Sequence, residues 1–281
     1  MDEIILHKRK ITAFIVLQYE KQYNLNMSLN LYSSMANQYN SNSQKIRVLT
    51  ENWVDKHIFC PNCGSTITEY ENNKPVADFY CSNCKEDYEL KSKKDKIGKK
   101  IVDGAYSTMI ERLLSDSNPN LFFLNYEKNS FDIINFMAIP KYFFTPKIIE
   151  ERKPLSSTAR RAGWVGCNIL FSAIPESGKI FYIRNGKKES KNKILDAWNR
   201  TIFLGKTKNL KSRGWLLDII ECIERTKRNN FTLKDIYRFE NYLKLKYPQN
   251  SNIQAKIRQQ LQILRDKGYL LFEGSGRYRL K

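Results

Sequence analysis

The chain has 281 residues and carries 48 Lys+Arg against 29 Asp+Glu, a formal charge of +19 at neutral pH. Hydrophobic residues make up 41% of it, enough to bury a core and to exclude wholesale disorder. The length fits two domains, and a basic surplus of this size points to a polyanionic partner.

Residues 1–40 form a poorly patterned leader rich in Asn, Tyr and Ser, expected to be frayed or partly helical. Its apolar run Ile11–Leu17 is far shorter than the ~20 residues of a membrane span. It also lacks a cleavage site and sits among Lys8, Arg9, Lys10 and Lys21, so it does not read as a secretory signal. A soluble, cytoplasmic protein is expected. From Ser43 to His57, Ile46, Leu49, Trp53 and Val54 recur at helical spacing. A cysteine-bearing segment follows, then a lysine-dense stretch from Lys91 to Lys100. Residues 101–115 read as a helix with Ile101, Ala105, Met109 and Leu113 on one face. Leu121–Tyr126, Phe131–Ile139 and Ile180–Ile183 read as buried strands, so the core is expected to be mixed α/β. Gly205 and a Lys/Asn/Ser cluster break the pattern near 205–212. Beyond it, residues 208–281 hold 17 Lys+Arg and 7 Asp+Glu, a net +10 that leaves +9 for the rest.

Cys60-Pro-Asn-Cys63 and Cys81-Ser-Asn-Cys84 are two C-x2-C knuckles separated by 17 residues. Each knuckle lets two thiolates converge on one ion, and two knuckles close a tetrahedral zinc site. Disulfides are disfavoured in the cytosol, and a redox C-x-x-C needs only one pair. A closed four-sulfur site has no open position for chemistry, so this zinc is expected to be structural. His57 is an outside candidate ligand, and Cys167 and Cys222 read as buried thiols.

The second knuckle is a natural hairpin turn, placing Val76–Tyr80 antiparallel to Tyr88–Ser92. Alternation along a strand then puts Glu89 and Lys91 on one face with Leu90 toward the core, and Asp78 can meet them from the opposing strand. Two carboxylates and a lysine on one face suit Mg²⁺-assisted phosphodiester hydrolysis, with Asp78 and Glu89 as magnesium ligands. A solvated charged strand face is the competing reading of such a string.

The pattern Asp…Glu-x-Lys resembles that of PD-(D/E)xK nucleases, and the segments around it resemble the DpnI type of restriction endonuclease. The stretches that carry the resemblance are SNSQKIRVLTENWV, CPNCG, ENNKPVADFYC, ELKSKK, DGAYSTM, RKPLSSTARRAGWVGCN and IRQQLQILRDK, in this order. The resemblance implies a methyl-directed type II enzyme. It would cleave double-stranded DNA at Gm6ATC sites whose adenine is N6-methylated, with Asp78, Glu89 and Lys91 catalytic and Cys60, Cys63, Cys81 and Cys84 on zinc. It begins at Met27, which leaves residues 1–26 as an unmatched extension and makes Met27 the expected natural start.

In the tail, Trp215–Ile223, Leu233–Tyr247 and Ile253–Leu264 read as three helices, and Tyr269–Phe272 and Arg277–Leu280 as a hairpin. That order is the winged helix, a variant of helix-turn-helix. With its apolar stripe inward, the third helix turns Lys256, Arg258, Gln259 and Gln262 outward, and Gln and Arg are readers of adenine and guanine. Arg277 and Arg279 supply the wing beside Glu273 and Ser275. Winged helices also mediate protein contacts, but the +10 surplus favours nucleic acid. Arg160, Arg161 and Trp164 lie in a glycine-containing loop suited to lie against DNA. The resemblance makes Trp164 a candidate contact of the methylated adenine, while a structural Trp at a loop–strand junction is the other reading.

Together these give an α/β, PD-(D/E)xK restriction-endonuclease-like core over 27–207 with a four-Cys zinc site, and a winged-helix DNA-binding domain over 208–281. Catalytic Mg²⁺, structural Zn²⁺ and adenine-methylated duplex DNA are the expected cofactors and partner, with no membrane association and no obligate protein partner. The main rival is a non-catalytic zinc-ribbon/winged-helix DNA-binding regulator, which leaves the Asp78/Glu89/Lys91 face unexplained. A nuclease specific for structure or RNA is the second.

Overall fold

The computed structural model describes residues 27–71 and 77–281. Expectations for the leader before Met27, and for Pro75 and Val76, fall outside the described residues. The chain divides into two compact units, each assembled from separate stretches.

Of the described residues, the first unit comprises those up to Ile97, with Pro119–Ile139 and Ile180–Trp198. It contains α1 (Asn42–His57), β1 (Thr68–Glu69), β2 (Phe79–Tyr80) and β3 (Asp87–Lys94). The second unit begins with β4 (Ile101–Ala105) and α2 (Tyr106–Leu114). The chain returns to the first unit for β5 (Asn120–Tyr126) and β6 (Ile133–Ile139), then adds β7 (Ile149–Glu151) and β8 (Gly166–Ile169) to the second. The first unit is completed by β9 (Ile180–Arg184), β10 (Lys187–Lys188) and most of α3 (Lys191–Asn199).

The first unit is a seven-stranded sheet in the order β1-β2-β3-β5-β6-β9-β10. Among the described strands of this sheet only the β3–β5 pair is parallel, a pairing that needs a crossover such as the intervening residues 95–119 provide. The two central strands β5 and β6 are almost wholly buried, and Tyr182 of β9 meets Phe122 of β5 and Phe136 of β6 edge-on. Helix α1 lays Leu49, Trp53 and Val54 into this core. The leader is not wholly frayed. Met27, Leu31 and Ala36 are buried in the same core cluster, and the Trp53 Nε1 donates to the Ser28 carbonyl at 2.9 Å.

In the second unit β4, β8 and β7 form a small antiparallel sheet. Residues 101–105 are therefore strand, which corrects the expected helix over 101–115. Pairing of Ile101–Asp103 with Cys167–Ile169 supplies backbone partners that helical spacing alone does not reveal, and the helix starts only at Tyr106.

The tail, also in the second unit, runs α4 (Leu210–Arg225), β11 (Asn230–Thr232), α5 (Leu233–Tyr237), α6 (Glu240–Lys246), α7 (Ile253–Asp266), β12 (Leu270–Phe272) and β13 (Arg277–Leu280). The strands pair in the order β11-β13-β12, so the hairpin gains a third strand that the sequence reading lacked. The expected helix Leu233–Tyr247 is two helices, interrupted at Arg238–Phe239. A Thr232–Asp235 capping box starts the first piece, and Phe239 leaves the helical conformation at the start of the second. Asp218 on α4 accepts from Lys246 Nζ at 2.6 Å and from Tyr247 Oη at 2.5 Å, tying α6 to α4. No helix among the described residues is long and apolar enough to cross a membrane.

Candidate active site and cysteine cluster

The acidic face is built on the β2–β3 hairpin of the first unit. Phe79 pairs with Tyr88 and Tyr80 with Asp87, and the knuckle residues Cys81–Cys84 make the turn between them. Just before β2, the Asp78 amide donates to the Tyr88 carbonyl at 2.9 Å, and the Asp78 Oδ2 accepts from the Leu90 amide at 2.6 Å. That bond fixes the carboxylate beside Glu89. The Lys91 ammonium lies 2.5 Å from the Glu89 carboxylate, each side chain about a quarter exposed (25% and 26%). Leu90 packs against the core cluster on the opposite face, as alternation requires.

Helix α1 supplies a carboxylate that the sequence reading did not single out. Glu51 is 9% exposed and ion-paired at 2.7 Å to Arg47, one turn earlier. Burial raises its pKa, Arg47 opposes the rise, and the charge of Asp78 adds to it. Glu69 is raised too, first by burial and then by Glu51 and Asp55. Asp78 thus stands in an acidic neighbourhood drawn from α1, β1 and β3. The i, i+4 spacing of Arg47 and Glu51 was the available signal.

Hard oxygen donors such as Asp78 and Glu89 fit Mg²⁺, which typically takes one or two protein carboxylates and completes its shell with water and phosphate. Lys91 already neutralises Glu89, so the face tolerates negative charge before any cation arrives.

The sulfurs of Cys60, Cys63, Cys81 and Cys84 lie within 4.8 Å of one another, with Cys60–Cys84 at 3.4 Å and Cys63–Cys81 at 3.5 Å. A tetrahedron of Zn–S bonds of about 2.3 Å has edges of about 3.8 Å, so these four thiols fit a zinc ion. The cluster is braced from α3, where Trp198 Nε1 donates to Asn62 Oδ1 at 3.1 Å and Lys191 Nζ to the Gly64 carbonyl at 2.8 Å. His57 is not in the cluster; its ring packs on Trp53 at 5.4 Å. Cys167 and Cys222 are fully buried, as expected, and burial pushes the Cys222 thiol up to about 12.

Of the lysine-dense stretch, Lys93 and Lys94, with Lys96, line a cavity of about 980 Å³ in the first unit, together with Lys45 and Lys128 over the aromatic floor Tyr126 and Phe131. Lys93 Nζ also donates to the Ile97 carbonyl at 2.8 Å. Lys100, in the second unit, is engaged by Glu150 at 2.6 Å.

In the second unit, the loop between β7 and β8 closes on itself through Leu155–Trp164 and Gly163–Leu155 backbone bonds. Arg160 and Arg161 are exposed, Arg161 stacks over the Trp164 ring at 4.5 Å, and Trp164 is half-buried. The ring lies where a Cβ on residue 166 would be, at 2.7 Å, which is why Gly166 stands there. On α7, Arg258, Gln259 and Gln262 are exposed and Lys256 is half-buried. Arg258 donates to Tyr237 Oη at 2.6 Å and Lys256 to Gln259 Oε1 at 2.7 Å. In the wing Arg277 is exposed, whereas Arg279 is held by Glu273 at 2.8 Å.

Helices α4 to α7, closed by a wing, make the tail of this basic chain a winged-helix DNA-binding module. Comparison with known families matches residues 211–280 to the Dam-replacing HTH domain and residues 27–207 to DpnI, the Dam-replacing family. The chain belongs to the DpnI, Dam-replacing, family of restriction endonucleases.

Proposed function

We propose that the protein is a methyl-directed type II restriction endonuclease that cleaves duplex DNA at Gm6ATC sites carrying N6-methyladenine. The observation that carries the chemistry is the tie between Asp78 and the Leu90 amide, which sets Asp78 beside the Glu89–Lys91 pair. On this reading the core is of the PD-(D/E)xK type. Asp78 and Glu89 would hold Mg²⁺, and Lys91 orients the attacking water or, as the neutral amine, takes its proton. When bound there, Mg²⁺ would supply charge neutralisation at the phosphate and acidify a bound water. Cys60, Cys63, Cys81 and Cys84 hold a structural zinc that pins the turn between the two acidic strands.

Division of labour follows the sequence boundary. Residues 27–207 cut and read the methyl group, with Arg160, Arg161 and Trp164 against the DNA. Residues 208–281 read the duplex through Lys256, Arg258, Gln259, Gln262, Arg277 and Arg279. Family membership and the basic surplus support this reading.

The test is incubation with Mg²⁺ and plasmid DNA from adenine-methylating and non-methylating hosts, beside an Asp78→Ala control. Discrete fragments from methylated DNA alone, absent with the variant, are the expected result. Binding without cleavage would instead favour a regulator.

A further inference from the structure

Tyr88 sits immediately before Glu89 and is fully buried. Its hydroxyl lies 3.0 Å from the Cys60 sulfur. Its carbonyl accepts the Asp78 amide at 2.9 Å, and its Cα partner across the hairpin is Phe79. Its ring stacks on Phe122 of β5 at 4.3 Å and 5°. One side chain thus touches the sulfur cluster and the neighbouring strand, while its backbone sets the register that brings Asp78 to Glu89.

A sulfur that ligates zinc is a thiolate, and a thiolate can only accept, so the phenol must be the donor in this contact. Groups that donate to metal ligands fix the ligands' orientation and tune their strength. Here the donor is also part of the acidic strand. Cys60 comes from the first knuckle, ahead of β1, whereas Cys81 and Cys84 belong to the hairpin turn itself. The hydroxyl bond therefore joins β3 to the knuckle that the hairpin does not contain.

We propose that Tyr88 is a positioning residue that couples the zinc cluster to the acidic face: its hydroxyl donates to the Cys60 thiolate and locks the register in which Asp78 meets Glu89. The importance of that register for cleavage rests on the function proposed above, but the coupling itself does not.

The test uses the full-length Tyr88→Phe variant, which keeps the ring and its stacking and removes only the hydroxyl. Three measurements are made with metal bound. In the cobalt-substituted protein, loss of the donor should move the thiolate-to-cobalt charge-transfer band to lower energy. Zinc affinity should fall on the order of tenfold, the size of effect expected for an outer-shell partner. Hydrogen exchange in the zinc-loaded protein should rise about tenfold or more over 78–80 and 87–91, and stay unchanged over 133–139. An unmoved cobalt band, or wild-type exchange over 87–91, overturns the proposal.

Should the variant fail to fold, wild-type protein loaded with ¹¹³Cd decides the matter. A Tyr88 hydroxyl proton coupled to cadmium through the Cys60 sulfur supports the bond, and an uncoupled, solvent-exchanging proton overturns it. A wild-type protein that cuts no DNA in Mg²⁺ would sink the nuclease reading while leaving all of these measurements interpretable.

Discussion

The Asp78 carboxylate accepts the Leu90 amide at 2.6 Å, so an acid from one arm of the hairpin is fastened to the backbone between Glu89 and Lys91. Two functions of this carboxylate separate by substitution. Asp78→Asn keeps an oxygen that can accept from Leu90 but loses the charge. Asp78→Ala loses both and leaves a partly buried amide without its acceptor, at a cost of about 1–2 kcal/mol. Cleavage should fall at least on the order of 10³-fold in both variants, as expected when a metal-holding charge is removed. Only Asp78→Ala should lower the urea midpoint appreciably. Equal midpoints for the two variants would show that the Leu90 bond is not stabilising.

Lys91 competes with any cation for Glu89, given their 2.5 Å ion pair. Lys91→Met should therefore bind Mn²⁺ at least as tightly as wild type, while single-turnover cleavage falls by about 10²–10⁴-fold, the range for loss of a general acid–base group. Electron paramagnetic resonance titration with Mn²⁺ and a quenched cleavage assay read the two effects separately. Weaker Mn²⁺ binding in the variant would mean that the lysine supports the carboxylate rather than competing for it.

Much of this architecture was legible in the sequence where the signal was local. The two cysteine knuckles, the alternation of Glu89, Leu90 and Lys91, and the apolar periodicity of α7 each depend on spacing within one segment, and the cysteines do cluster. What spacing could not show depends on partners far along the chain. Ile101–Ala105 has helical periodicity, yet it is strand because Gly166–Ile169 pairs with it. Glu51 looks like an ordinary exposed-helix acid until the packing of α1 buries it within the field of Asp78. The Tyr88–Cys60 contact joins residues 28 apart and leaves no motif at all.

Trp164 is half-buried, with Arg161 stacked over its ring at 4.5 Å. A residue with that exposure can serve recognition without being the keystone of its unit. Trp164→Ala should reduce discrimination between methylated and unmethylated sites more than it reduces thermal stability, read as the ratio of cleavage rates on the two plasmids. Loss of cutting on both plasmids together with a circular dichroism spectrum of unfolded chain would assign the ring a purely structural role.

On the proposed reading the wing carries its own brake, since Glu273 holds Arg279 at 2.8 Å. Removing an acid near phosphates and releasing an arginine act in the same direction. Glu273→Ala should therefore tighten duplex binding several-fold at low salt. The slope of log K against log salt should steepen by about 1, the signature of one added phosphate contact. Fluorescence anisotropy across a salt series measures both. An unchanged slope would place Arg279 away from the DNA backbone.

Glu51 provides a pH-dependent test of the acidic neighbourhood. Burial raises its folded-state pKa, with Arg47 opposing and Asp78 adding to the rise. A raised folded-state pKa means that the group's contribution to stability is intact below the unfolded value, about 4.3 for Glu, and is lost as pH climbs through the folded-state value. Wild type is thus penalised at neutral pH for ionising Glu51, a penalty that Glu51→Gln does not suffer. Arg47 can turn to water when its partner is neutral, since its side chain is 57% exposed. The difference in Tm, variant minus wild type, should be more positive at pH 7.5 than at pH 4, with the change beginning near pH 4.3. A difference that is flat with pH, or that moves the other way, would mean that the Arg47 pair outweighs burial and that Glu51 is content as an anion.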